Sequence, residues 1–280
     1  MSTARSGKLI GPTEVARRST TRSWRLQIAN SAWTYRLIVL VIVGVAWQAY
    51  AIAAQSLFIP KFTDTVVGVF RLATDPNAIG AFGLSNHALV LGFAISVVLG
   101  IPLGLAAARY HLLEGLIDPY LSILLVTPMA ALVPLVIMST GIGLVSRVLL
   151  VLVFSIPIII VNTRTGVRQV DPDLIEMATS YGATEGQVWR KILLPGAFPA
   201  LMTGVRLGLG RAVTGMVVVE LLMVSVGIGG LILNYRGTLE PDLLYAVVVL
   251  VVLEALLLVS TVRFLERKLA PWASELFLRE

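Results

Sequence analysis

Six apolar runs, each about as long as a lipid hydrocarbon core is thick, decide most of what this chain can become. They fall at about residues 37–54, 88–108, 116–138, 144–162, 197–221 and 243–263. A helix rises about 1.5 Å per residue, so about 20 residues cross a core of about 30 Å. A hydrocarbon solvent leaves no partner for a free N–H or C=O, so spans of this length are helices. The balance of residues agrees, with 57% hydrophobic and only 14% charged, where soluble domains carry roughly 25% charged. The sequence therefore predicts an all-α, polytopic membrane protein with about six transmembrane helices. A small-residue stretch at Ala51–Ala53 mimics a leader-peptidase site. The 36 residues ahead of the first run and its long apolar core fit a retained anchor better. With no cysteine in the chain, disulfides, thiolate metal sites and cysteine nucleophiles are excluded. His87 and His111 stand at the edges of apolar runs and read as interfacial polar residues.

Charge sets the orientation. Arg5, Lys8, Arg17, Arg18, Arg22, Arg25 and Arg36 precede the first run, and Arg109, Arg164, Arg168, Arg190 and Lys191 occupy the even-numbered connections. Arg263, Arg267, Lys268 and Arg279 follow the last run, while the opposite side has Lys61, Arg71, Arg147 and Arg236. The positive-inside rule places both termini in the cytoplasm. The net charge of +6 is then orientation and contact with anionic lipid, and its spread over several loops is a poor nucleic-acid footprint. The organisation predicted is a basic, disordered tail over 1–36, a membrane domain over 37–268 and a cytoplasmic tail over 269–280. Within the long external connection 55–87, residues Phe62 to Leu72 predict a short interfacial helix.

One polar insert interrupts the apolar pattern at residues 171–195. Asp171 can cap a helix begun by Pro172, and Leu174, Ile175, Ala178 and Tyr181 share one face. Gly182 follows where a left-handed residue ends a helix most cheaply. Thr184 with Gln187 reads as a capping box. Val188, Trp189, Ile192 and Leu193 make the second helix apolar on one side, and Pro195 is expected to stop it. A helix–glycine–helix hairpin of this kind suits docking to another protein.

Glu176, Ala178, Gly182, Ile192, Leu194 and Pro195 match the spacing E-x-A-x(3)-G-x(9)-I-x-L-P. In this the chain resembles the permease subunits of binding-protein-dependent ABC importers of type I, in the nitrate/sulfonate/taurine branch, from about residue 37 to 268. Supporting stretches run from Leu99 to Gly104, Asp118 to Tyr120, Thr127 to Ala130, Pro134 to Leu135 and Gly227 to Gly229. Met177 departs from the alanine usual at its position. The resemblance implies a bacterial cytoplasmic (inner) membrane protein whose loop, 164–196, couples to a separate ATPase subunit that carries ATP and magnesium. It also implies an external solute-binding protein, a second permease subunit (a homodimer is expected), and a small anionic solute such as nitrate, a sulfonate or taurine. Glu176 is expected to make a charge-assisted contact with the ATPase.

No cofactor site is legible in the chain. The one Gly-Lys pair, Gly7-Lys8, is followed by Leu9, so no Walker A loop exists and the chain is not expected to be an enzyme. Pro102, Pro128, Pro134 and Pro157 interrupt the spans; they either line a flexing pathway or merely kink helices. Gly100/Gly104 and Gly204/Gly208 are spaced for close helix approach, with internal packing favoured over a second copy. Arg206 and Arg211 begin the fifth run, Glu220 closes it, and Glu254 lies in the middle of the sixth. Glu254 is expected to face protein or water, paired with Arg206 or Arg211 or protonated. Arg211 is the better candidate to attract an anion. The competing reading is an ion-coupled secondary carrier using Glu220 and Glu254, although no internal repeat supports it.

Overall fold

The computed structural model describes residues 32–223 and 226–270. The expected tails at 1–31 and 271–280 lie outside the described residues. Every element within them is helical: α1 (Ala32–Ala54), α2 (Phe62–Thr74), α3 (Pro76–Arg109), α4 (His111–Val126), α5 (Leu132–Thr140), α6 (Leu144–Arg168), α7 (Pro172–Ser180), α8 (Glu185–Val188), α9 (Leu194–Met223), α10 (Gly227–Gly237) and α11 (Pro241–Leu269). The described residues up to Gln55 form one unit and those from Ser56 onward another. The first is α1, a helix of 23 residues with no acidic or basic residue in its first or last turn.

Among the described residues, five helical stretches are long and apolar enough to cross a membrane. The sixth span differs from expectation. Residues 116–138 are not one helix: α4 and the segment Met129–Thr140 meet at an angle of 94°. The cause is local. Pro128 lacks an N–H and forces the residue before it out of the helical region, and Thr127 accordingly sits at φ −65°, ψ 133°. A 3₁₀ turn, Met129–Ala131, then restarts the chain. Pro134 falls in the first turn of α5, where no hydrogen bond is lost, whereas Pro102 and Pro157 lie inside α3 and α6.

The second span begins earlier than its apolar run. Asp75 accepts from the Asn77 N–H at 3.0 Å and Pro76 opens the helix, so α3 takes in the polar end of what reads in sequence as a loop. The interfacial helix expected at Phe62–Leu72 is α2. Gly68 lies so close to α11 that a Cβ there would meet the Ala246 side chain at 2.9 Å.

α6 is the axis of the second unit, held between α3 and α9. A Cβ on Gly92, Gly100 or Gly104 would strike Val151, Ile159 or Thr163 at 2.7–2.9 Å, and one on Gly204 or Gly208 would strike Asn162 or Ile159 at 2.7 Å. Both expected glycine pairs thus serve internal packing, where van der Waals contact between close backbones replaces a hydrophobic drive that lipid does not supply. Ser155 of α6 donates to Ser96 of α3 at 2.7 Å across the same seam. The main core gathers Leu89, Val151, Met216, Ile228 and Val247 from α3, α6, α9, α10 and α11.

Candidate functional site

The polar insert folds as a helical hairpin with a sharply defined turn. The Asp171 carboxylate accepts from the Asp173 N–H at 3.0 Å, capping α7. At its other end the Ala183 N–H bonds the Ala178 carbonyl at 3.0 Å and the Gly182 N–H bonds that of Thr179 at 2.9 Å. This 6→1 and 5→2 pair is a Schellman closure. It requires a left-handed residue, and Gly182 has φ +79°. Thr184 N–H donates to the Gln187 side chain at 2.9 Å, opening the second helix.

Pro195 does not end that helix. The chain widens into a π turn over Trp189–Leu193, in which the Leu194 N–H reaches back five residues to the Trp189 carbonyl, and α9 continues through the proline. The wider turn relieves the clash a proline ring makes with the carbonyl four residues before it. The hairpin is therefore one continuous body with α9.

Its apolar residues divide between two faces. Ile175 and Ala178 pack inward with Val188, Trp189 and Leu193 against Leu105 and Ala108 of α3, Val167 of α6 and Ala197 of α9. Leu174, Met177 and Tyr181 point outward, Tyr181 being 88% exposed, at spacings that align them on one stripe of α7. Glu176 is exposed beside that stripe in sequence; Gly182 and Leu194 are also exposed, and Ile192 and Pro195 are half-buried. Sequence reasoning missed Arg109. It pairs with Glu185 at 2.6 Å and lies over the Trp189 ring at 5.5 Å, tying the end of α3 to the hairpin. Nearby, Glu114 receives Arg168 and Arg164, and Arg164 also pairs with Asp118, joining the start of α4 to the end of α6.

At the opposite end of the spans, Glu220 is 1% exposed. Ser85 Oγ donates to both its oxygens at 2.7 and 2.8 Å, and the Gly229 N–H donates to Oε2 at 3.1 Å. The Ile228 N–H in turn donates to Ser85 Oγ at 2.9 Å. Arg147 Nη1 lies 3.6 Å from Glu220 Oε1. A Cβ on Gly227 or Gly229 would fall within 2.4 Å of the Ser85 hydroxyl or the Glu220 side chain, so both must be glycine. Helices α3, α6, α9 and α10 meet in this one polar knot. Its sequence signal was the Gly227–Gly229 pair a helical turn or two beyond Glu220; Ser85 and Arg147 gave none.

Glu254 does not take either arginine as partner. Arg206 bonds Glu266 at 2.6 Å and Thr203 at 3.0 Å, because Glu266 is reached at the same end of α11 while Glu254 lies three turns further along. Glu254 stands near Asn86, and its Oε2 is buried with no hydrogen bond among the described residues. Arg211 is exposed and forms no ion pair among the described residues. It lines a cavity of about 300 Å³ at the α4–α5 break with Thr127, Pro128, Phe154 and Pro157.

Spans, break and hairpin can now be set beside known proteins. Residues 100–274 match the family described as binding-protein-dependent transport system inner membrane component. The chain belongs to that family. It is 31% identical over 242 residues to a putative aliphatic sulfonates transport permease protein of Bacillus subtilis, covering 86% of this chain and 88% of the relative. A taurine transport system permease protein of Escherichia coli is 28% identical, with 90% and 94% covered. A riboflavin transport system permease protein of Chloroflexus aurantiacus is 32% identical, with 84% and 88% covered. Among solved structures, a chain of the inward-facing MetNI methionine ABC transporter aligns with a TM-score of 0.54 at 21% identity, covering 74% of this chain and 94% of that one. This permease is thus a multi-pass membrane component of a binding-protein-dependent importer, with the type I fold.

Proposed function

We propose that this permease forms the pathway of an ATP-driven importer for a small organic anion and is moved by ATPase subunits docked on α7. The outward stripe of Leu174, Met177 and Tyr181 carries the reading. Three large apolar side chains on a short, doubly capped helix otherwise stand in water for no packing gain. Glu176 beside them supplies a charge for a basic partner, and Gly182 sets the angle at which α7 is presented. Ala178, Ile192, Leu194 and Pro195 build the body behind it. A push on α7 passes through its inner face to the ends of α3, α6 and α9, with Arg109 as a further tie.

On this reading ATP and magnesium sit on the partner ATPase, an external binding protein delivers the solute, and a second copy of the chain completes the pathway. The protein resides in the bacterial inner membrane, in contact with its lipid, with both termini and the hairpin in the cytoplasm. The printed substrates of two relatives, sulfonates and taurine, support an anionic solute. An ion-coupled carrier gains nothing from Glu220, whose carboxylate is committed to Ser85, Gly229 and Arg147.

The test is a pull-down of the tagged protein from its native membrane with mass spectrometry of what accompanies it. An ATPase recovered with the wild type and lost on Gly182→Asp and on Glu176→Lys is the expected result. Recovery of the same ATPase with both variants at equal expression overturns the role given to α7.

A further inference from the structure

Arg211 lies in a membrane-spanning helix with no counter-ion among the described residues. It lies 12 residues before the end of α9, about 18 Å along the helix axis, and about 26 Å from the other end, which is mid-span. A charge there costs about 2.5–3.5 kcal/mol on insertion scales. Three other arginines of the long helices have carboxylate partners: Arg147 has Glu220, Arg164 has Asp118 and Glu114, and Arg206 has Glu266. Arg211 differs from these three in lining a cavity deep in its helix with no carboxylate beside it among the described residues.

The surroundings of Arg211 are those of a ligand site. Its cavity of about 300 Å³ lies at the lower end of the range for small-molecule sites. One wall is the α4–α5 break, irregular backbone that a membrane tolerates only where it is buried or lines a wet cavity. Thr127 lines the same cavity as Arg211, and Phe154, Pro157 and Ile158 are apolar walls. A planar fork of N–H donors and a hydroxyl lining one largely apolar cavity suit an oxyanion with a short organic tail.

We infer that Arg211 and Thr127 form a binding station for a small sulfonate- or carboxylate-bearing solute midway along the pathway. This rests on the importer reading and adds to it the residues that hold the anion. The same oxyanion chemistry is found in a lipid headgroup, and the experiment separates the two sources.

The chain has no cysteine, so a single Thr127→Cys gives a unique reporter in the complete importer in vesicles, read by the mass of this chain. Its labelling rate is compared for sulfonatoethyl methanethiosulfonate and for the cationic trimethylammonium analogue, after correction for their rates with a free thiol. A lone guanidinium in a low-dielectric cup should favour the anionic reagent on the order of tenfold. Adding Arg211→Gln to Thr127→Cys should bring the ratio to about one, adding Arg211→Lys should keep most of it, and millimolar ethanesulfonate should slow labelling of Thr127→Cys while Arg211 is intact. A ratio unchanged by Arg211→Gln overturns the inference, as does protection by phosphatidylglycerol in place of ethanesulfonate. Labelling by neither reagent, in resting and nucleotide-trapped states and also at Ile158→Cys, overturns it too. Loss of the importer reading shows separately, as failure of any ATPase to co-purify, which the labelling ratio does not measure.

Discussion

The polar knot around Glu220 makes a quantitative prediction for Glu220→Gln. The change keeps the side-chain volume and one acceptor oxygen, so Ser85 and the Gly229 N–H, at 2.7–3.1 Å, retain a partner. It replaces the other oxygen with an NH₂ group facing Arg147 Nη1, which stands 3.6 Å from Oε1. The Arg147 side chain is only 11% exposed, and Nη1 has no hydrogen bond among the described residues. Removing one member of a buried ion pair costs about 3–5 kcal/mol, chiefly through the charge left behind. The hydrogen bonds that survive put the expected loss near the lower bound, at about 3 kcal/mol. Arg147→Met with Glu220→Gln removes both charges, so the double variant should be more stable than the sum of the single losses by about 1–2 kcal/mol. The assay is equilibrium unfolding of the purified protein by dodecyl sulfate in mixed micelles, followed by far-ultraviolet circular dichroism. Losses that add to within about 0.5 kcal/mol would refute the ionic origin of the knot's stability.

Four further variants test other parts of the structure. Gly182→Ala places a Cβ at φ +79°, a strain of about 1–2 kcal/mol; solute uptake should fall while the amount of protein in the membrane fraction, read by immunoblot, stays the same. Met177→Ser with Tyr181→Ser should abolish ATPase co-purification yet shift unfolding by less than about 0.5 kcal/mol, since both side chains are exposed. Gly104→Val brings a side chain to 2.7 Å from Thr163 Cβ and 2.8 Å from the Ile160 carbonyl and should destabilise by about 2–3 kcal/mol, whereas Gly115→Ala, with open space around it, should be neutral or slightly stabilising in the same titration.

Much of the architecture was written locally. The apolar runs, the Asp171 cap, Gly182 and the Thr184–Gln187 box each act over a few residues, and a sequence displays interactions of that range directly. The failures also have local chemistry behind them, but with more than one outcome. Pro128 and Pro195 carry the same missing N–H. One produced a break of 94°, because Thr127 before it took an extended conformation and a 3₁₀ turn could follow. The other was absorbed by a π turn that keeps the helix running. Which of the two a proline imposes depends on what packs against the chain at that point, and Leu193 and Ala197 on either side of Pro195 are both buried in the hairpin's inner cluster.

The sequence by itself determined that this chain is helical, lies in a membrane and presents a capped hairpin outside the apolar runs, because each follows from solvent and backbone over short distances. Only the tertiary structure decided the partners. Ser85 and Glu220 are 135 residues apart, and Arg206 and Glu266 are 60 apart. A carboxylate in a membrane must find a donor, but sequence does not say which of several arginines arrives beside it. Tertiary packing also separated Ile175 and Ala178, which face the membrane domain, from Leu174 and Tyr181, which face outward. It left Arg211 alone for the same reason: its isolation is the sum of where every carboxylate in the described bundle went.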